Sequence, residues 1–143
     1  MKDPAIYIRK AFGDCIGGVV YDGKIIPVVD TFSDEDFGKN QIMLGSLEMV
    51  NSDDKHSFNG DYTFTIDVVT RTDNSGNRFI ADSIANQITE KVQPLKQIIG
   101  LAISNEFQLI NLRLDSSGYL YEGTKTHFIV RKLLRYRFRI VEL

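Results

Sequence analysis

The chain ends in LLRYRFRIVEL, residues 133 to 143, and this stretch restricts the fold more than any other. Leu134, Tyr136, Phe138 and Ile140 alternate with Arg135, Arg137 and Arg139. Side chains of a strand point to opposite faces in turn, so the pattern makes one apolar face and one face of guanidinium groups. The apolar face must be covered, which calls for a sheet with a second layer packed on one side.

YTFTIDVVT, residues 62 to 70, alternates in the same way. Tyr62, Phe64, Ile66 and Val68 share one face, and Thr63, Thr65 and Asp67 share the other. Between these strands lies RFIADSIANQITEKV, residues 78 to 92. Its Ile80, Ile84, Ile88 and Val92 recur every fourth residue with Ala81 and Ala85 alongside, the signature of an amphipathic helix that ends before Pro94. Asp3 and Pro4 start a shorter helix over 4–12, with Asp3 as N-cap and Gly13, Gly17 and Gly18 breaking it up. In VVYDGKIIPVV, residues 19 to 29, Asp22-Gly23 between β-branched runs predicts a tight hairpin, and Pro27 predicts an edge strand or an early end to pairing.

Further strands are expected at 41–50, 107–114 and about 127–142. Asp115 to Gly118 reads as a turn, followed by a short return over 119–126. Residues 31–40 and 51–60 read as polar loops, 72–77 as turn and cap, and 95–106 as a short helix or an irregular crossover. The order α-β-β-β-β-α-β-β gives the expected fold class. It is α+β: a mostly antiparallel β-sheet packed by one long amphipathic helix and a short N-terminal helix. The 143 residues fit one domain, 1–143.

The totals exclude several classes. A single cysteine, Cys15, forms no internal disulfide. MKDPAIYIRKAF carries neither a long apolar run nor a small-residue cleavage site, so no signal peptide is expected. No run approaches the roughly 18 to 20 apolar residues that span a bilayer, so no membrane partner and a soluble, intracellular setting are expected. The net charge of −2 argues against a general nucleic-acid binder. Its distribution is uneven: residues 14–67 carry −8 and the rest of the chain +6. Opposite charges of this kind attract between copies or cancel within one sheet.

Catalytic and cofactor motifs are missing. Neither GxxxxGK[ST] nor GxGxxG occurs, and there is no GxSxG elbow. His56 and His127 stand outside any zinc-ligand spacing, and Asp34-Glu35-Asp36, Asp53-Asp54 and 73–77 lack the ligand alternation of a calcium loop. Asp14 beside Cys15 raises rather than lowers the thiol's pKa. The sequence therefore predicts no catalytic residue, no metal site and no cofactor. An enzyme with a dispersed site has nothing in its favour.

Three readings compete for the arginine row. Alternate residues stand about 6.8 Å apart, so Arg135 to Arg139 spans about 13 to 14 Å, with Arg131 further along the same face. That matches phosphate spacing, but sheets that bind nucleic acid add aromatic rings to the binding face, and here Tyr136 and Phe138 point the other way. In the second reading the arginines pair with Asp61 and Asp67 of the 62–70 strand, each exposed pair contributing about 0.2–1 kcal/mol. In the third, Arg131, Arg135, Arg137 and Arg139 face a second copy, with Asp34, Glu35, Asp36, Asp53 and Asp54 as its acids.

The order of a short N-terminal helix, VYDGKIIPVV, YTFTIDVVT, an amphipathic helix and RKLLRYRFRIVEL resembles the tail-completion and tail-terminator proteins of tailed bacteriophages. The resemblance runs over about residues 4–142; segment 95–106 and the acidic loops have no counterpart in it. It implies a non-enzymatic virion protein, assembled in the host cytoplasm, that forms a closed ring of six or twelve copies at the head–tail junction. Such a ring joins portal or connector to tail, and genome DNA passes through its lumen with non-specific contact. Head-to-tail contacts that close on themselves are what a ring requires. The alternative is a nucleic-acid-binding module that uses Arg131, Arg135, Arg137 and Arg139.

Overall fold

The computed structural model describes residues 2–30, 40–52, 59–72, 78–96, 98–123 and 128–143. Along the chain run α1 (Ala5–Ile16), β1 (Val20–Tyr21), β2 (Lys24–Ile25), β3 (Val28–Val29), β4 (Asn40–Ser52), β5 (Gly60–Thr72), α2 (Phe79–Val92), β6 (Phe107–Gly123) and β7 (Phe128–Glu142). β1 and β2 form a hairpin of their own, and the other strands make one sheet in the order β3-β4-β5-β7-β6. Only β3 and β4 run parallel; every other neighbouring pair is antiparallel. The α+β, mostly antiparallel expectation therefore holds.

The expected contrast between one long helix and one short one does not. α1 has 12 residues and α2 has 14. α1 passes straight through Gly13 because its apolar stripe does not end there. Ile8, Ala11, Phe12 and Ile16 are all buried, and the open side of Gly13 sits over Leu44. Burial of Ile16 outweighs the ~1 kcal/mol that a glycine costs inside a helix. At its start, Asp3 accepts a hydrogen bond from the Ala5 N–H at 2.9 Å, one residue ahead of the N-cap position taken by Pro4.

Asp22 and Gly23 both adopt positive φ, 52° and 75°, as a two-residue hairpin turn between β1 and β2 requires. β2 stops at Ile25, ahead of Pro27, and the chain then joins the sheet edge as β3. β4 and β5 are longer than expected, and the Asp115–Gly118 turn does not form. β6 runs on through these residues, because Ser116, Ser117 and Gly118 pair with Arg135, Leu134 and Leu133 of β7. Two register shifts, between Ile110 and Arg113 and between Leu114 and Ser116, take up the irregularity. A long partner strand outweighs local turn chemistry, and the short return expected over 119–126 is part of this strand as far as Gly123. The polar loops at 31–39 and 53–58, the cap at 73–77, His56 and His127 lie outside the described residues. Segment 95–106 holds no helix among its described residues, only a bridge between Leu95 and Ile98.

Both helices pack on one face of the sheet, where Phe12 of α1 meets Phe64, Tyr136 and Phe138 at ring distances of 4.7, 6.0 and 5.7 Å. Ile84, Ile88 and Val92 of α2 complete the cluster with Ile66, Val68 and Leu134. After α2 the Gly100 N–H donates to the Val92 carbonyl at 2.7 Å, folding the chain back under the helix end. A Cβ at Gly100 would lie 1.9 Å from the Lys91 carbonyl oxygen. Gly100→Ala is therefore expected to lower stability by about 1–3 kcal/mol, read from urea unfolding midpoints.

Candidate functional site

The sheet face away from the helices carries the arginine row. β5 and β7 pair without interruption from Gly60 with Ile140 to Thr72 with Phe128, so Asp61 faces Arg139, Thr63 faces Arg137 and Thr65 faces Arg135. Tyr136 and Phe138 are buried on the opposite side, as the alternation required.

The two carboxylates singled out in β5 are both used. Asp67 was expected on a solvated face but is buried, held by Arg131 through Nε at 3.0 Å and through Nη2. Its second oxygen, Oδ1, has no hydrogen-bond partner among the described residues. Arg131 also reaches Glu122 of β6 at 3.1 Å, and these carboxylates keep its guanidinium pKa raised. Asp61 lies 3.5 Å from both Arg137 and Arg139. Three of the four row arginines thus pair with acids of their own sheet.

Arg135 is different. It is exposed and has no ion-pair partner among the described residues. It borders a hollow of about 220 Å³ lined also by Thr65, Ser116 and Leu133. Beside it, Arg113 of β6 stands directly opposite Arg137, a like-charge pair that the 3.7 Å contact from Arg113 to Asp115 relieves only in part. The face can therefore hold an anionic group at Arg135. No aromatic residue of β5, β6 or β7 points to this face, so these strands offer no stacking platform. Asp34, Glu35, Asp36, Asp53 and Asp54 lie outside the described residues. Among the described residues no cluster of three or more His, Cys, Asp or Glu exists that could hold a metal ion, and no helix is long and apolar enough to cross a membrane.

Two polar constellations escaped the sequence reading. Arg9 of α1 donates to the carbonyls of Leu44 and Gly45 at 3.4 and 2.6 Å and so closes part of the β4 edge. On the helix side of the sheet, Asp82 of α2 accepts from Tyr119 at 2.5 Å and from Lys132 at 2.8 Å. The Tyr119 ring lies under Arg78 and Lys132, 5.4 and 5.1 Å from its centroid. The available signal was Lys132, a cation at a position where the alternation puts an apolar side chain.

The hydrogen bonds from Lys132 and Tyr119 lower the Asp82 pKa. A carboxylate with a depressed pKa stabilises the fold above its unfolded value of about 3.9, and that contribution disappears as pH falls through the folded value. Asp82→Asn is expected to flatten the loss of stability below about pH 4, measured by thermal melts across that range. Arg131→Ala leaves Asp67 buried and unpaired and is expected to cost about 3–5 kcal/mol. Arg135→Ala is expected to change stability by no more than about 0.5 kcal/mol in the same urea titration.

No family model matches the sequence, and no curated protein does. Among solved structures, the chain is similar to a chain of the virion of a native gene transfer agent (GTA) particle. The TM-score is 0.61, over 98% of this chain and 92% of that one, at 16% sequence identity. At that identity the two chains share a fold, from end to end.

Proposed function

We propose that this protein is a structural, non-enzymatic component of a phage-like virion. In this reading its 1–143 domain is tail-terminator-like, and it forms a ring at the head–tail junction with DNA passing through the lumen. The observation that carries this reading is the fold shared over nearly the whole of both chains with a component of a gene transfer agent virion. The order of elements, which resembles the tail-completion and tail-terminator proteins, points the same way. The ring is assembled in the host cytoplasm from six or twelve copies and contacts portal or connector on one side and tail on the other.

The interface uses the outer face of β7. Arg131, Arg135, Arg137 and Arg139 of one copy meet Asp34, Glu35, Asp36, Asp53 and Asp54 of the next. Arg135 carries the largest share, because the other three already have acids in their own sheet. Bidentate arginine–carboxylate contacts give such an interface both energy and register. Light scattering after size exclusion and negative-stain imaging test this, alone and with portal and tail proteins. The wild type is expected to form closed rings, and Arg135→Glu is expected to reduce the ring fraction without unfolding the chain. A protein that stays monomeric in every one of these mixtures overturns the reading.

A nucleic-acid-binding module is the second reading, and it rests on the open Arg135 beside the facing Arg113 and Arg137. It requires salt-dependent DNA binding that falls when Arg135, Arg137 and Arg139 become alanine. Absence of binding at low salt removes it.

A further inference from the structure

The two edges of the sheet are treated differently. On the β4 edge, β3 covers Ile42 and Met43, and Arg9 occupies the carbonyls of Leu44 and Gly45. Register shifts between Leu44 and Leu47 and between Met49 and Asn51 then bend the rest of that strand. These are the devices by which edges are kept from pairing with other chains.

Among the described residues, the β6 edge lacks them over its second half. From Ser116 with Arg135 to Gly123 with Phe128, eight consecutive residues pair with β7 without a register shift, and β6 is the last strand of the sheet. Alternate residues there turn their N–H and C=O groups outward. Two of its side chains are apolar and exposed: Leu120 is 46% accessible and Tyr121 55%. The strand is also held in place. Tyr119, bonded to Asp82 and lying under two cations, fixes its middle against α2.

The geometry points to pairing of this edge with the same edge of a second copy, antiparallel about a two-fold axis at Leu120. Residues directly opposite must share a face of the sheet, which centres a self-pairing on a residue. With Leu120 at the centre, Leu120 meets Leu120 of the second copy on the outer face. Tyr119 meets the second copy's Tyr121 on the helix face, and Tyr121 meets its Tyr119. The stack that Tyr119 and Tyr121 already make within one chain, at 6.2 Å, then extends across the axis. Glu122 faces Gly118, so no like charges oppose each other. A two-fold contact of this kind is self-complementary. Leu120 stands beside Arg131 in the sheet, but the pairing does not involve Arg135, so it stands apart from the ring contact that Arg135 dominates.

Charge exchange at the axis tests it. Leu120→Glu and Leu120→Lys each place like charges directly opposite one another. By light scattering at micromolar concentration, each variant alone is expected to show half the wild-type mass, and an equimolar mixture is expected to recover it. In a Cys15→Ser background, Leu120→Cys is expected to give a reducible covalent dimer on mild oxidation, because directly opposed strand residues lie within disulfide reach. Circular dichroism confirms that each variant is folded; if a charged variant unfolds, the thiol variant decides. Wild-type mass in both charged variants, failure of the mixture to recover, a wild type of single-copy mass or no covalent dimer overturns the proposal. Loss of assembly in Arg135→Glu with the Leu120 contact intact counts for the ring interface alone, so the two proposals fail separately.

Discussion

The uninterrupted ladder between β5 and β7 is the constraint on which the other features depend. Thirteen residue pairs, Gly60 with Ile140 to Thr72 with Phe128, lock the two strands in one register. A one-residue slip of β7 would turn Tyr136 and Phe138 to solvent and bring arginines under the helices. The hydrophobic effect makes that slip prohibitive, because these side chains are buried around Phe12. The same register brings Asp61 level with Arg139 and Asp67 within reach of Arg131. Core packing on one face thus sets the electrostatics of the other.

That second face is only partly neutralised. Arg131 and Asp67 form a desolvated pair in which each group depends on the other, whereas Arg137 and Arg139 share one half-exposed carboxylate. Arg135 sits where β5 offers Thr65 and β6 offers Ser116, neither of which is an acid. One strand therefore carries a structural arginine and, on the same face, one with no ion-pair partner among the described residues, distinguished by what the neighbouring strands supply. The row is not a uniform set of saturated salt bridges.

The sheet edges show a similar division. Arg9 and β3 close one edge with groups from the N-terminal part of the chain, while β6 reaches the other edge straight and pinned through Tyr119. Asp82, Tyr119 and Lys132 join α2, β6 and β7 through hydrogen bonds, and Tyr119 also packs against the core.

The sequence by itself determined the strands at 62–70 and at the C-terminus, the helix that ends before Pro94, the hairpin at Asp22-Gly23 and the burial of Tyr136 and Phe138. Each follows from periodicity or from turn chemistry, which act over a few residues. It did not reveal that α1 continues through Gly13, that β6 runs through Asp115 to Gly118, or that Asp67 is buried. Those outcomes depend on a partner distant in sequence: Leu44 beneath Gly13, β7 beside β6, Arg131 beside Asp67. Only the tertiary structure decided which arginine has no acid beside it, and which edge no strand covers, among the described residues. Both depend on strand order and register, and these are set by long-range pairing rather than by local pattern.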